Sequence, residues 1–431
     1  MESQEKGEEI GIVGVGAIGL RMARRLMAHG HGVTVFDRGA AALETAAAAG
    51  ASIAASPAAV ARAARIVITC VTDAGDVEEV VAGPSGLGDA PVGLLVIETT
   101  TSLPSVTRRL GALLEARGGA MVDAPVSRGV PAAEAGTLSI MLGGAARDTD
   151  RAEPVLRLLG TDIVRTGALG SGHAAKSLNM FAMGVNLVAV SALVGLGRRA
   201  GGRAGDLVAA LEAGPGGSFM TASHYPKYVL SGTLASTFTL GLMRKDIAIA
   251  AALARDAGVA APLCAEVLAL YDALCAEGLA GADNTLVFRR VEDATAAASG
   301  RTAMGAERLG FALAAVTLAG LLEAFAVARA AGLAPLALAL VLAASSGGSR
   351  MGSRVALPAL RGEAASLRLA PGALVAALDQ ARAALAGPAA EPVGELLAAA
   401  ARTLAAAPGM DGSDAGAAVA ALAAREVAAA C

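Results

Sequence analysis

The chain has 431 residues, 55% of them hydrophobic and only 2% aromatic, with no Trp and a formal net charge of −3. That length points to two or three domains, and an apolar content made of Ala, Val and Leu suits packed helices and parallel strands. No Lys/Arg run stands out, which argues against nucleic-acid or membrane partners, and the four Cys (Cys70, Cys264, Cys275, Cys431) lack CxxC spacing, reading as reduced thiols of a cytoplasmic protein without a metal site.

The first ten residues, MESQEKGEEI, are polar and acidic, unlike a secretory signal. Glu9–Val13 then forms a short apolar run of strand type, followed by Gly14-Val15-Gly16-Ala17-Ile18-Gly19. A helical stretch, Arg21–Ala28, closes at Gly30, and a second strand, Val33–Phe36, ends at Asp37, 18 residues after Gly19. A GxGxxG with a strand before it, a helix after it and an acid ending the next strand is the dinucleotide-binding fingerprint in its full context. Gly14 permits the tight turn, and Gly19 lets helix and strand pack closely. Gly16, Ala17 and Ile18 bring the backbone against a pyrophosphate at the positive end of the helix. Asp37 would accept hydrogen bonds from ribose hydroxyls and repel a 2′-phosphate, which favours NAD. Arg38 beside it could stack on adenine or attract a phosphate, which keeps NADP open.

Strand-like runs recur at Ile66–Val71, Leu94–Ile97, Ala120–Val122 and Leu138–Leu142, with helical segments between the earlier ones. This α/β alternation predicts a Rossmann-type, doubly wound and mostly parallel sheet over residues 1–165. Ligands of such sheets bind at the carboxyl ends of the strands. Thr72 lies there, as does Glu98-Thr99-Thr100-Thr101, whose hydroxyls could face a nicotinamide ribose, and Asp123-Ala124-Pro125-Val126-Ser127-Arg128-Gly129.

Gly167-x-x-Gly170-x-Gly172 ends the sheet domain and starts a long helix carrying His173, Lys176 and Asn179. Lys176 and Asn179 are three apart and share a helix face. Arg outnumbers Lys 31 to 4, so a retained Lys is a candidate for something Arg cannot do, such as giving up a proton. Asn occurs only at 179, 186 and 284. Hydride transfer from an alcohol needs a base for the hydroxyl proton, and the reverse needs an acid. Lys176 fits both roles, with Asn179 holding it or the substrate oxygen in line. His173 reads as a helix-start residue lining the cleft. His224, Tyr225 and Lys227 fall in a loop-like stretch after Gly214-Pro215-Gly216-Gly217, within reach of a substrate, although nothing in the sequence demands it.

On four segments in order, GIVGVGAIG (11–19), DAPVSRGVPAAEAGTLSIMLGG (123–144), GSGHAAKSLN (170–179) and FTLGLMRKD (238–246), the chain resembles the β-hydroxyacid dehydrogenase family, which includes 3-hydroxyisobutyrate dehydrogenases and tartronate semialdehyde reductases. The resemblance covers about 290 residues. It implies that Lys176 is the catalytic acid/base and Asn179 the supporting amide, and that Ser127 and the amide of Gly129 clamp a small carboxylate substrate. It also implies that Lys245 lies at the cofactor and substrate mouth with Asp246 orienting its helix, and that Thr100 or Thr101 contacts the cofactor. Three positions depart from the family pattern. Arg128 replaces a Gly, which suggests a substrate with a second anionic group or a narrowed pocket. Met180 replaces a second amide, and Ala192 replaces a Glu.

Residues 166–295 form the helical catalytic domain in this reading, and residues 296–431 a second, degenerate copy. Shifted by 131, Ala200-Gly201 falls on Ala331-Gly332, Gly216-Gly217-Ser218 on Gly347-Gly348-Ser349, Asp283 on Asp414, and Ala192 on Glu323, while Phe181 falls one position from Phe311. Lys176 maps to Glu307 and Asn179 to Gly310, so the second copy is catalytically empty, and the resemblance makes its role packing: a homodimer or a pseudo-dimeric monomer through the helical domains, similar to the duplicated helical domain of 6-phosphogluconate dehydrogenases. The apolar stretch Leu309–Ala344 is interrupted by Glu323, Arg329, Gly332 and Pro335 and reads as buried helices, not a membrane span. Two alternatives stay open: an imine or ketone reductase on the same fold, whose members usually replace the catalytic Lys, and a cofactor-binding protein without turnover.

Overall fold

A computed structural model describes residues 7–89, 92–298, 304–385, 387–410 and 414–429. By internal contacts the chain divides into two compact units, residues 1–176 and 177–431. The long helix Ser171–Arg199 begins in the first and runs through the second.

The first unit is a nine-stranded sheet. Its strands are β1 (Gly7–Val13), β2 (His31–Phe36), β3 (Ser52–Ile53), β4 (Ile66–Thr69), β5 (Leu95–Glu98), β6 (Ala120–Asp123), β7 (Val126–Ser127), β8 (Leu138–Gly143) and β9 (Gly160–Gly167). They lie in the order β3-β2-β1-β4-β5-β6-β8-β7, with β9 paired to β8. The block from β3 to β6 is parallel. β8 runs antiparallel to β6 and β7 and parallel to β9. β4, β5 and β6 are buried along their whole length, as strands covered on both faces must be, and read as unbroken apolar runs for that reason. The chain order reverses at β1, which has β2 on one side and β4 on the other. The glycine loop after β1 therefore opens at the topological switch point. The helix Gly19–Ala28 buries Gly19, Met22, Ala23 and Leu26, one stripe at helical spacing, and exposes Arg24.

Three strands escape the sequence pattern. β3 and β7 have two residues each, and β9 carries Thr, Asp and Arg with little burial, as an edge strand does. Ser127, expected in a turn, lies on β7 opposite Ser139. Arg128 follows at φ +80, a left-handed conformation that costs a side-chain-bearing residue but not glycine.

The second unit is helical. The 131-residue shift carries Ala204 onto Pro335 and Leu240 onto Pro371, each the first residue of an α-helix. The halves also contact each other reciprocally. Phe219 N–H donates to Gly348 O at 2.9 Å, and Arg350 N–H donates to Gly217 O at 2.7 Å. These two bonds exchange under the shift and flank the bridge Ser218–Ser349. Thr317, the equivalent of Asn186, donates its hydroxyl to Asn186 Oδ1 at 3.0 Å. Equivalent residues that touch one another mark a local two-fold relation, the internal counterpart of an isologous dimer interface. Among the described residues two helices have the length and hydropathy of a membrane span, Ser171–Arg199 and Ala306–Ala330, and their most apolar windows are 100% and 89% buried within the protein. Glycine and Pro335 break the Leu309–Ala344 stretch as expected, ending one helix at Ala330 and starting the next at Pro335.

The segment expected as a loop after Gly217 is instead a π-helical turn, Met220–Leu230, with Pro226 inside it. Missing i→i−4 bonds at a proline favour this wider winding. It buries Tyr225, whose hydroxyl donates to Glu292, and packs His224 tilted against Phe219 and edge-on to Tyr228, with ring centroids 5.1 Å apart in both. Burial and then the charge of Lys227 pull the His224 imidazole down to about 4, so it is neutral at ordinary pH.

Candidate active site

In the first unit the glycine loop has the geometry a dinucleotide needs. Gly14 has φ +94, and a Cβ there would meet Cys70 O at 2.3 Å. A Cβ on Gly19 would meet Gly14 O at 2.0 Å, so helix and loop are in backbone contact. A Cβ on Gly16 would meet nothing within 4 Å. Two glycines of the motif are thus required by the fold itself, while the third opens onto space where a ligand backbone contact fits. The helix that follows has Ile18 as its N-cap, with no side-chain cap and no acid in its first turn. Leu20 N–H and Arg21 N–H turn back onto Gly16 O and Ile18 O, so what the uncapped terminus offers an anion is the positive end of the helix at Gly16–Gly19.

Asp37 ends β2 against this loop. Its Oδ2 accepts the Val15 N–H at 2.9 Å and its Oδ1 the Gly39 N–H at 2.8 Å. Arg38 is held by Asp76 at 2.5 Å and Glu79 at 3.1 Å. The hydroxyl of Thr100 accepts the Val71 N–H at 3.0 Å, tying two strand ends together beside Thr72. These residues fit a nicotinamide dinucleotide: loop for the pyrophosphate, Asp37 for the ribose, strand ends for the rest.

The carboxyl ends of β5 and β6 also build something the sequence reading missed. Glu98, Asp123 and His173 are fully buried together. His173 Nε2 lies 2.8 Å from Glu98 Oε2, off the line of a well-formed hydrogen bond, and its Nδ1 is 2.8 Å from Thr107 Oγ1 and 3.8 Å from Asp123. Asp123 accepts the N–H groups of Gly170 (2.7 Å) and His173 (2.8 Å), which fastens the start of the long helix to the sheet. Burial works to lower the His173 imidazole, but the Glu98 carboxylate, then Asp123, carry it above its usual range. Burial pushes Asp123 up, opposed by His173 and the two amides. His173 therefore corrects its expected place: it is an anchor in the interior, not a lining of the cleft. Its partners are 50 to 75 residues distant in the chain, so no local pattern could show them.

Lys176 lies one turn beyond this anchor, buried, and Asn179 lies one turn further on the same helix. Ser127 is buried on β7, and Gly129 opens the following short helix at φ +70. Arg128 turns its guanidinium to Asp162 at 2.7 Å and to Thr137 O at 3.0 Å. In the second unit Lys245 is half-buried on the helix Leu240–Asp256, 3.5 Å from Asp246. Asn179 is held there by residues 346 and 347, contacts that only the repeat could have suggested.

In sequence, residues 9–167 match the family described as the NAD binding domain of 6-phosphogluconate dehydrogenase, and residues 170–291 match that described as the NAD-binding domain of NADP-dependent 3-hydroxyisobutyrate dehydrogenase. The 2-(hydroxymethyl)glutarate dehydrogenase of Eubacterium barkeri is 32% identical over 292 residues, 68% of this chain and 97% of that one. The chain belongs to the β-hydroxyacid dehydrogenase family. The 3-sulfolactaldehyde reductase of Escherichia coli is 32% identical over 286 residues, 65% of this chain and 95% of its own. Among solved structures, the Mycobacterium tuberculosis 3-hydroxyisobutyrate dehydrogenase with L-serine superposes with a TM-score of 0.62 at 29% identity, over 65% of this chain and 98% of its own. A nicotinamide cofactor accordingly belongs to this β-hydroxyacid dehydrogenase family member.

Proposed function

We propose that the protein transfers hydride between a nicotinamide and the β-carbon of a small hydroxy acid, with Lys176 as general acid/base. The observation that carries this reading is the pairing of Lys176 and Asn179 on adjoining turns of one buried helix, just beyond the anchor formed by Asp123. A helix fixed at its first turn holds a proton-transfer group in place better than a loop does.

The bound nicotinamide supplies the hydride acceptor or donor. The chain's own residues do the rest. Gly16, Ala17 and Ile18 hold the pyrophosphate, and Asp37 takes the ribose. Ser127 Oγ and the Gly129 N–H hold the substrate carboxylate, Lys245 lines the mouth, and Lys176 Nζ takes the β-hydroxyl proton in oxidation and returns it in reduction. Asn179 Nδ2 donates to the same substrate oxygen. NAD is preferred, because the Asp37 carboxylate repels a 2′-phosphate and Arg38 is already paired with Asp76 and Glu79. Arg128 favours a second anionic group, which would compete with Asp162 for the guanidinium. Two relatives are named for substrates of that kind, a glutarate and a sulfolactaldehyde. Residues 296–431 act as a degenerate second helical domain, and the chain works as a pseudo-dimeric monomer.

The test is a 340 nm assay of NAD and NADP against mono- and dianionic β-hydroxy acids. Lys176→Ala is expected to lose at least about 10²-fold in kcat, the low end for a general acid/base. Turnover that survives in that variant refutes the assignment, and an unchanged substrate ranking in Arg128→Gly refutes the second anion.

A further inference from the structure

The second helical copy lacks Lys176 and Asn179, yet its glycine turn grips Asn179. Gly347 N–H donates to Asn179 Oδ1 at 2.9 Å. Asn179 Nδ2 donates to Ser346 Oγ at 3.3 Å and lies 3.7 Å from Met180 Sδ. An N–H can only donate, so the atom facing Gly347 is the amide oxygen, and the nitrogen is thereby presented as a donor. Asn186, two turns along the same helix, donates to Gly347 O at 3.5 Å. Two of the three asparagines in the chain thus converge on one residue, Asn179 on its N–H and Asn186 on its C=O. No side chain fits at 347, since a Cβ there would lie 2.7 Å from Asn179 O and 2.8 Å from its Oδ1.

The repeat supplies an internal control. Under the 131 shift Asn179 becomes Gly310 and Ser346 becomes Pro215, and these two also face each other: a Cβ on Gly310 would lie 3.7 Å from Pro215 Cδ. The packing is kept on both sides of the local two-fold. The polar pair is kept on one side only, the side that carries Asn179. Packing alone gives no reason for that difference.

We infer that Ser346, with the peptide of Gly347, is a positioning residue: the second copy fixes the Asn179 amide so that its nitrogen donates to the substrate oxygen. This rests on the proposed role of Asn179. The donor trades its long thioether contact with Met180 for the substrate oxygen while Ser346 and Gly347 hold the plane.

Two readouts on the full chain test this. The first needs no substrate. With 15N-asparagine labelling, three side-chain amide pairs appear, and Asn179→Ala assigns one of them. Ser346→Ala is expected to move that pair and leave Asn284 in place; an unmoved Asn179 amide overturns the inference. The second is kinetic. Ser346→Ala should lower kcat by about five- to tenfold, the net value of one buried hydrogen bond, with cofactor KM unchanged. Ser346→Thr should restore it, and in an Asn179→Ala background Ser346→Ala should have no further effect. An unchanged kcat, or an equal loss in the Asn179→Ala background, overturns the inference. Gly216→Ala, whose Cβ would meet Leu313 Cβ at 2.6 Å, is the control for the same crowding at the empty side. It should cost stability and leave kcat within about twofold, whereas Gly347→Ala should lower kcat. If Lys176→Ala stays active, the proposed function fails, while the amide spectrum still decides whether Ser346 holds Asn179.

Discussion

Glu323 offers a quantitative test of how the two helical copies interlock. It is buried on the helix Ala306–Ala330 of the second copy and reaches the start of the helix Pro262–Leu274 of the first. Its carboxylate accepts Leu263 N–H at 2.9 and 3.1 Å, Cys264 N–H at 3.2 Å and the Thr403 hydroxyl at 2.6 Å. The receiving helix has Ala261 as N-cap and no acid in its first turn, so Glu323 is its cap from across the interface. Glu323→Ala orphans two buried amides and leaves a void. At about 1–3 kcal/mol per unsatisfied donor, less the relief of removing a buried ion, the expected loss is about 3–5 kcal/mol. Glu323→Gln keeps one acceptor oxygen but turns its NH2 toward a donor such as the Cys264 N–H, so it should cost about 1–3 kcal/mol, less than Glu323→Ala. Burial raises the Glu323 carboxyl, opposed by Thr403 and the two amides. The protonated form is therefore the better bound, and wild-type stability falls as pH rises from the unfolded value through the raised folded one. The Gln variant should gain on wild type over that interval. Tyrosine fluorescence in urea is the assay, because all three tyrosines (Tyr225, Tyr228, Tyr271) lie in the helical unit. A loss below about 1 kcal/mol in Glu323→Ala would show that the cap does not hold the copies together.

The His173 anchor gives a second pH dependence, in the sheet unit. Its folded value is raised, so the stability it contributes is complete below 6.5 and is lost as pH climbs through the folded value, with Glu98 and Asp123 as the charges that face it. Differential scanning calorimetry from pH 6 to 9 should show Tm falling for wild type and falling less for His173→Gln; parallel curves would contradict this. For the cofactor, Asp37→Ser should lower the NAD to NADP ratio of kcat/KM by at least about tenfold, by removing a charge that opposes the 2′-phosphate. An unchanged ratio would move the discrimination elsewhere.

Much of the first unit was legible because its physics is local. A parallel strand buried on both faces writes itself as a run such as Ile66-Val67-Ile68, and the glycines of the loop are dictated by contacts with their neighbours. β9 stayed hidden because an edge strand needs no apolar pattern, and Gly160–Gly167 has Asp162 and Arg165 on it. The π-helical turn around Pro226 stayed hidden because a proline after glycines reads as a loop. Lys176 and Asn179 were visible as a spacing and a resemblance. The residues that fasten them were not, since Asp123 holds the helix from 50 residues away and Gly347 holds Asn179 from 168 away.

On the proposed duplication, the two helical halves differ in a complementary way, and Glu323 shows the logic. Its equivalent in the first copy is Ala192. Glu323 caps a first-copy helix that has no acid in its first turn. The equivalent second-copy helix, Glu391–Ala406, begins with its own acid, Glu391. A carboxylate near those first amides is favourable by about 0.3–1 kcal/mol through the helix dipole alone. With Glu391 present, a second buried carboxylate at 192 would add desolvation cost for little further gain, and Ala is the cheaper residue there. Ser346 and Pro215 divide in the same sense: the polar residue stands only on the side where the other half has a group for it to hold. Such divergence is open to two halves of one chain, because each position is free to vary alone. In a homodimer a single gene sets both sides of the interface, so a fixed pair of copies in one polypeptide is the arrangement in which these one-sided contacts arise.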